Sequence, residues 1–133
     1  MVVEPIYVLL LVSVLVVKHF LVDFLAQTPY MYKNKGTYGH FGGILHALMH
    51  GIISLRALCP LAAMLNPTCG YARILACCLA EIIIHYHIDF FKVKVCKKYE
   101  LTPVNSEVYW YILGLDQLLH YTTYILMVLV LLT

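Results

Sequence analysis

Charge is what this chain has little of: of 133 residues, 12% are Asp, Glu, Lys or Arg and 62% are hydrophobic, with a mean hydropathy of +0.84. Soluble globular domains carry about 25% charged residues, so that class is excluded and a membrane protein is expected. Strand-type alternation is missing too, which leaves nothing to build a sheet on. No repeat, low-complexity tract or linker divides the sequence, and its length suits a single domain over residues 1–133. The five cysteines lack the paired spacing of a metal finger. Cys77 and Cys78 read as packing residues inside an apolar run and Cys96 as a reduced loop thiol, while Cys59 and Cys69 flank a turn where a disulfide stays open on spacing alone. No basic residue precedes the first apolar run and no small-residue cleavage pattern follows it, so it is expected to be a retained span rather than a signal peptide.

What is present is four apolar stretches, about Pro5 to Leu25, Gly43 to Leu65, Tyr71 to Phe91 and Tyr109 to Leu132. Each meets the roughly 20 residues that a helix needs to cross a hydrocarbon core. Short connections make neighbouring helices antiparallel. The fold class expected is therefore all-α, a four-transmembrane-helix antiparallel bundle. Pro29 and "KNKGTYG" mark a polar turn, Pro60 a kink or end of the second span, and Asn105 or Ser106 an N-cap for the fourth. Basic loops stay on the cytoplasmic side. Lys33 and Lys35 follow the first span and Lys92, Lys94, Lys97 and Lys98 the third, whereas "NPTCG" carries no Lys or Arg and only Arg73 lies near it. Both termini are thus expected on the non-cytoplasmic side, in a bacterial inner membrane. The net charge of +2 sits in those loops and calls for no nucleic acid.

Inside the spans the polar residues are not scattered. His19 and Asp23, His46 and His50, His85 and Asp89, and Asp116 and His120 are each four apart, so each pair shares one helix face. One such pair reads equally well as interhelical hydrogen bonding. Four of them, all toward the cytoplasmic ends of their spans, point to one site, because ionisable groups at membrane depth are costly and face the bundle interior. A set of imidazoles and carboxylates without thiolates suits a divalent transition metal, zinc, manganese or iron, and eight ligands suffice for two ions. Glu81, one turn before His85, either orients that imidazole, acts as a base or makes a buried hydrogen bond. Lys92 either holds an anionic substrate group or snorkels to the interface, as does Arg56. Gln27 and Gln117 are placed to support Asp23 and Asp116. His87 points away from His85, His40 belongs to a solvated loop, and the tyrosines near span ends read as interfacial anchors.

"KHFLVDFLAQTPYMYKNK", "LHALMHG", "HYHIDFFK" and "LDQLLHY" resemble the domain of unknown function 3307 family, small polytopic membrane proteins of bacteria and their phages. The resemblance runs from about Lys18 to His120 and is carried most specifically by His19, Asp23, Gln27, Asn34, His85, Asp89, Lys92, Asp116, Gln117 and His120. It implies no established activity. A distant likeness to inner-membrane proteins labelled metal-dependent hydrolases is analogy only.

Two functions follow as expectations. One is a membrane-embedded metal-dependent hydrolase acting on a phosphoester or acyl bond of a lipid headgroup or nucleotide through a metal-activated water. The other is a non-enzymatic membrane protein, a metal carrier or host-interaction protein, with a structural metal or a hydrogen-bond cluster. Span halves such as "LLLVSVLV" and "LMVLVLLT" hold no ionisable residue, which favours the enzyme over a carrier.

Overall fold

A computed structural model describes residues 4–65 and 70–133. Helix α1 spans Pro5–Phe20 and runs directly into a π-helical turn, Leu21–Ala26. Pro5 opens α1 at a position whose N–H would be unpaired in any helix. Then come α2 (Pro29–Asn34), α3 (Phe41–Leu65), α4 (Tyr71–Lys98) and α5 (Glu107–Leu132). No strand occurs among the described residues. Four helical segments, Pro5–Ala26, Phe41–Ala62, Tyr71–Lys98 and Glu107–Leu132, are long and apolar enough to cross a membrane.

Three local expectations change. The turn region after the first span contains the short helix α2, which packs on α3. Pro60 lies inside α3, which continues to Leu65, so of a kink or an end only the end is excluded. Helix α4 runs about two turns beyond Phe91, to Lys98, because its lysines add aqueous helix to the apolar span. His85 and Asp89 therefore lie well inside α4 rather than closing it. Ser106 does cap α5, its Oγ accepting from the Val108 N–H at 3.2 Å. The Cys59–Cys69 pairing lies outside the described residues.

The long helices pack in a ring, α1 against α3, α3 against α4, α4 against α5 and α5 against α1. In lipid, such contacts depend on close packing rather than on hiding apolar surface from water. Gly51 shows this. A Cβ there would run into the Ile82 side chain and sit 3.2 Å from the Cys78 carbonyl, so the absence of a side chain sets how closely α3 approaches α4. Toward the end where α3 finishes and α4 begins the interior is apolar, with Leu11, Leu15, Leu58, Ile74 and Leu131 fully buried. Toward the other end, where α1 leads into α2 and α4 into α5, the interior is polar: His19, Asp23, His46, His50, Glu81, His85, Asp89, Asp116 and His120 are all buried. Large apolar side chains such as Leu9, Val17, Phe24, Ile83 and Leu115 face outward.

Candidate metal centre

The centre begins with a change of helix type. Six residues, Leu21–Ala26, wind as a π-helix, and this wider turn is frequent at functional sites. It carries Asp23 inward, where the carboxylate is 6% exposed. The helix stops at Gln27, whose backbone is extended and whose Nε2 donates to the Asp23 carbonyl. One of the carbonyls orphaned at the helix end is thereby satisfied.

Around Asp23, α3 brings both of its histidines to within 3.5 Å. Asp23 Oδ1 lies 2.8 Å from His46 Nε2 and 3.5 Å from His50 Nε2, and Oδ2 lies 3.1 Å from His19 Nε2. Asp89 Oδ2 is 3.3 Å from both His46 Nε2 and His85 Nε2, and those two nitrogens are 3.1 Å apart. Among the described residues, two groups have ligand atoms all within 4.8 Å of one another: Asp23, His46, His50 and His85, and separately His85, Asp89 and His120. His85 belongs to both.

Partners of the ring nitrogens separate the histidines by role. His120 Nδ1 donates to the Asp116 carbonyl at 2.7 Å, which leaves the Nε2 lone pair free, and that buried atom has no partner. This is the arrangement that orients a metal-binding imidazole. His19 is different: Nε2 faces two acceptors, Asp23 Oδ2 and Gln117 Oε1 at 3.2 Å, so it carries the proton. Its Nδ1 then accepts from the Tyr124 hydroxyl at 2.9 Å. Both nitrogens are committed, and His19 orients Asp23. His50 Nδ1 lies 3.2 Å from the Lys18 ammonium, and its Nε2, 3.5 Å from Asp23 Oδ1, is buried without a hydrogen-bond partner.

Two lysines complete the electrostatics. Lys35, from the segment after α2, places Nζ 2.9 Å from Asp89 Oδ2 and 3.4 Å from Asp23 Oδ1. Burial works to lower its pKa, but the Asp89 and Asp23 carboxylates outweigh burial and raise it, so Lys35 stays charged. Lys18, 4% exposed, pairs with Glu81 and touches the Tyr124 hydroxyl at 3.2 Å.

A family described as protein of unknown function (DUF3307) matches residues 10–133. The chain belongs to that family. No curated protein and no solved structure matches it.

In this DUF3307 chain the eight expected ligand residues converge in one interior, and six of them form the two ligand groups. His19 and Asp116 stand just outside them. Asp116 holds His120 through its backbone and accepts from Gln117 Nε2 at 3.0 Å, while Gln117 reaches His19. Glu81 is held by Lys18, one turn deeper than His85. Lys92 lies half-buried toward the outer side of α4 and α5. Arg56 is exposed, and His87 Nε2 meets the Tyr38 hydroxyl at 3.3 Å, away from the centre. His40 is half-buried, with Nδ1 accepting from the Gly42 N–H at 3.0 Å. Lys18, Lys35 and Tyr124 are the participants the sequence reading passes over. Lys18 had a signal, a lysine beside His19 within an apolar run. Tyr124 had a weaker one, four residues after His120. Lys35 looks like any loop charge until α2 folds it back.

Proposed function

We propose that this protein is a membrane-embedded metal-dependent hydrolase, acting on a phosphoester or acyl bond of a lipid headgroup or nucleotide at the cytoplasmic face of a bacterial inner membrane. The orientation rests on the basic loops. The observation that carries the reading is the three-residue group of His85, Asp89 and His120 beside a four-residue group that shares His85. With His85 assigned to the three-residue group, Asp23, His46 and His50 remain for a second ion, and three protein ligands leave a position open for water. The partnerless Nε2 of His120 fits a cation at that point, and the imidazole–carboxylate donor set fits zinc, manganese or iron. When bound, such an ion supplies a nucleophilic water at neutral pH and polarises the bond under attack.

The chain's own residues have the remaining roles. His120 is held in its tautomer by Asp116, Asp23 is oriented by His19, and Lys35 neutralises the excess of carboxylate charge. Lys92, three residues after Asp89, is the cation for an anionic substrate group. Glu81 is committed to Lys18, so the base in this reading comes from the carboxylates of the ligand groups. A carrier would need a polar path to the far side, and the fully buried Leu11, Leu15, Leu58 and Leu131 argue for a closed end instead.

Elemental analysis of the purified chain, with a hydrolysis assay on phospholipid vesicles and nucleotides, tests the proposal. Stoichiometric transition metal and chelator-sensitive hydrolysis are expected. His85→Ala should lose both, because it removes a ligand from each group. His120→Ala should keep metal in the four-residue group and lose hydrolysis by at least the factor of about 10–100 that disturbing even a ligand's hydrogen-bond partner costs. Protein that is metal-free as purified and takes up none on dialysis overturns the reading in favour of a hydrogen-bond cluster.

A further inference from the structure

Along their outer sides α4 and α5 part to leave an open groove of about 500 Å³. Its walls are apolar, among them Ile84, Phe91, Leu115 and Leu119, and its polar lining includes Asp116 and Lys92. Antiparallel packing sets Ile83 and Ile84 opposite Leu119 and Val95 opposite Ile112, so the groove runs about 18 Å along the helices. At its loop end Lys92 also borders a second hollow of about 340 Å³, lined with Lys97, Glu100, Thr102 and Tyr109. The first is an open apolar groove at span depth, the adjoining one carries two lysines against one glutamate, and Lys92 belongs to both. That pairing is the outline of an amphiphile.

The other large groove lacks this feature. Between α1 and α3 lies an apolar cleft of about 450 Å³, but its cation, Lys18, is spent on Glu81, His50 and Tyr124. Lys92 makes no ion pair within 4.0 Å among the described residues. Asp116, whose Oδ1 is buried without a partner, joins the groove to the centre, because its own carbonyl fixes His120.

We infer that the α4–α5 groove binds an anionic phospholipid, with an acyl chain between the helices and the phosphate at Lys92 and Lys97, so that the substrate enters sideways from the membrane. As a statement about substrate this rests on the hydrolase reading; as a statement about binding it does not. A lipid so placed brings its ester and phosphoester region to the level of Asp116, next to His120. A nucleotide has no use for the apolar groove.

Native mass spectrometry of the full chain, released from nanodiscs holding equal phosphatidylglycerol and phosphatidylcholine, reads the proposal directly. Wild type should retain phosphatidylglycerol in preference. Lys92→Gln should reduce that preference about five- to tenfold, the loss of one lysine–phosphate attraction. Leu115→Trp and Ile84→Trp, which fill the groove, should lower retention of both lipids. Equal retention of the two lipids by wild type, or an unchanged preference in Lys92→Gln, overturns the inference. Bound metal is measured in the same preparations. Metal with no lipid preference sinks the groove alone, whereas lipid preference without metal sinks the hydrolase reading and leaves the groove standing.

Discussion

Lys18 has a role that the surrounding sequence only hints at. Its ammonium pairs with Glu81 across the bundle and also touches His50 and Tyr124, with every partner buried. Removing one member of a buried pair strands the other charge, and Lys18→Met is expected to cost about 3–5 kcal/mol. Replacing both, Lys18→Met with Glu81→Leu, should recover most of that loss. Unfolding of the two variants in mild detergent measures it, and equal damage in both would mean that the pair does not hold the helices. The contrast with His19 is instructive. The His19–Asp23 contact was legible because helix geometry alone puts residues four apart on one face, whereas Lys18 finds Glu81 only after α1 and α4 have packed. Proton positions were equally hidden, since they follow from Tyr124, Gln117 and Asp116, each on another helix or another turn.

At the scale of elements, two backbone features aim the side chains. The π-helical turn delivers Asp23, and Gly51 lets α3 lie close enough to α4 for the His50 and His85 rings to sit 3.7 Å apart between centroids. Gly51→Val should therefore cost about 1–3 kcal/mol by overpacking and also lower bound metal, which thermal unfolding and elemental analysis read together. Ser106→Ala is the matched control: loss of the α5 N-cap costs about 1 kcal/mol, and metal content should not change. Were Gly51→Val to bind metal as wild type does, the close approach would be packing without consequence for the centre. Span number and approximate limits were readable from hydropathy, because each run is long and predominantly apolar. The π turn, helix α2 and the extension of α4 to Lys98 were not, because each depends on backbone hydrogen bonding or aqueous helix that carries no apolar period.

Across the whole molecule, the bundle has an apolar end and a polar end, and the polar end holds more buried charge than an unliganded membrane interior tolerates well. A ligand that binds only the folded state raises stability by about 2.7 kcal/mol at a hundred times its dissociation constant. Chelation should accordingly lower the unfolding midpoint of the wild type, and readdition of zinc or manganese should restore it. His85→Ala should respond to neither treatment. A midpoint indifferent to chelator in the wild type would mark the polar end as a self-satisfied hydrogen-bond network. By itself the sequence determined the class of the protein and the membership of its interior: runs of this length and hydropathy cross membranes, and histidines and aspartates in them must turn inward. Only the tertiary structure decided which of those residues face a common point, which merely hold their neighbours, and that Lys18 and Lys35 join them. Those outcomes depend on the packing of four helices and the fold-back of α2, and ångström distances between residues far apart in the chain leave no trace in a periodic pattern.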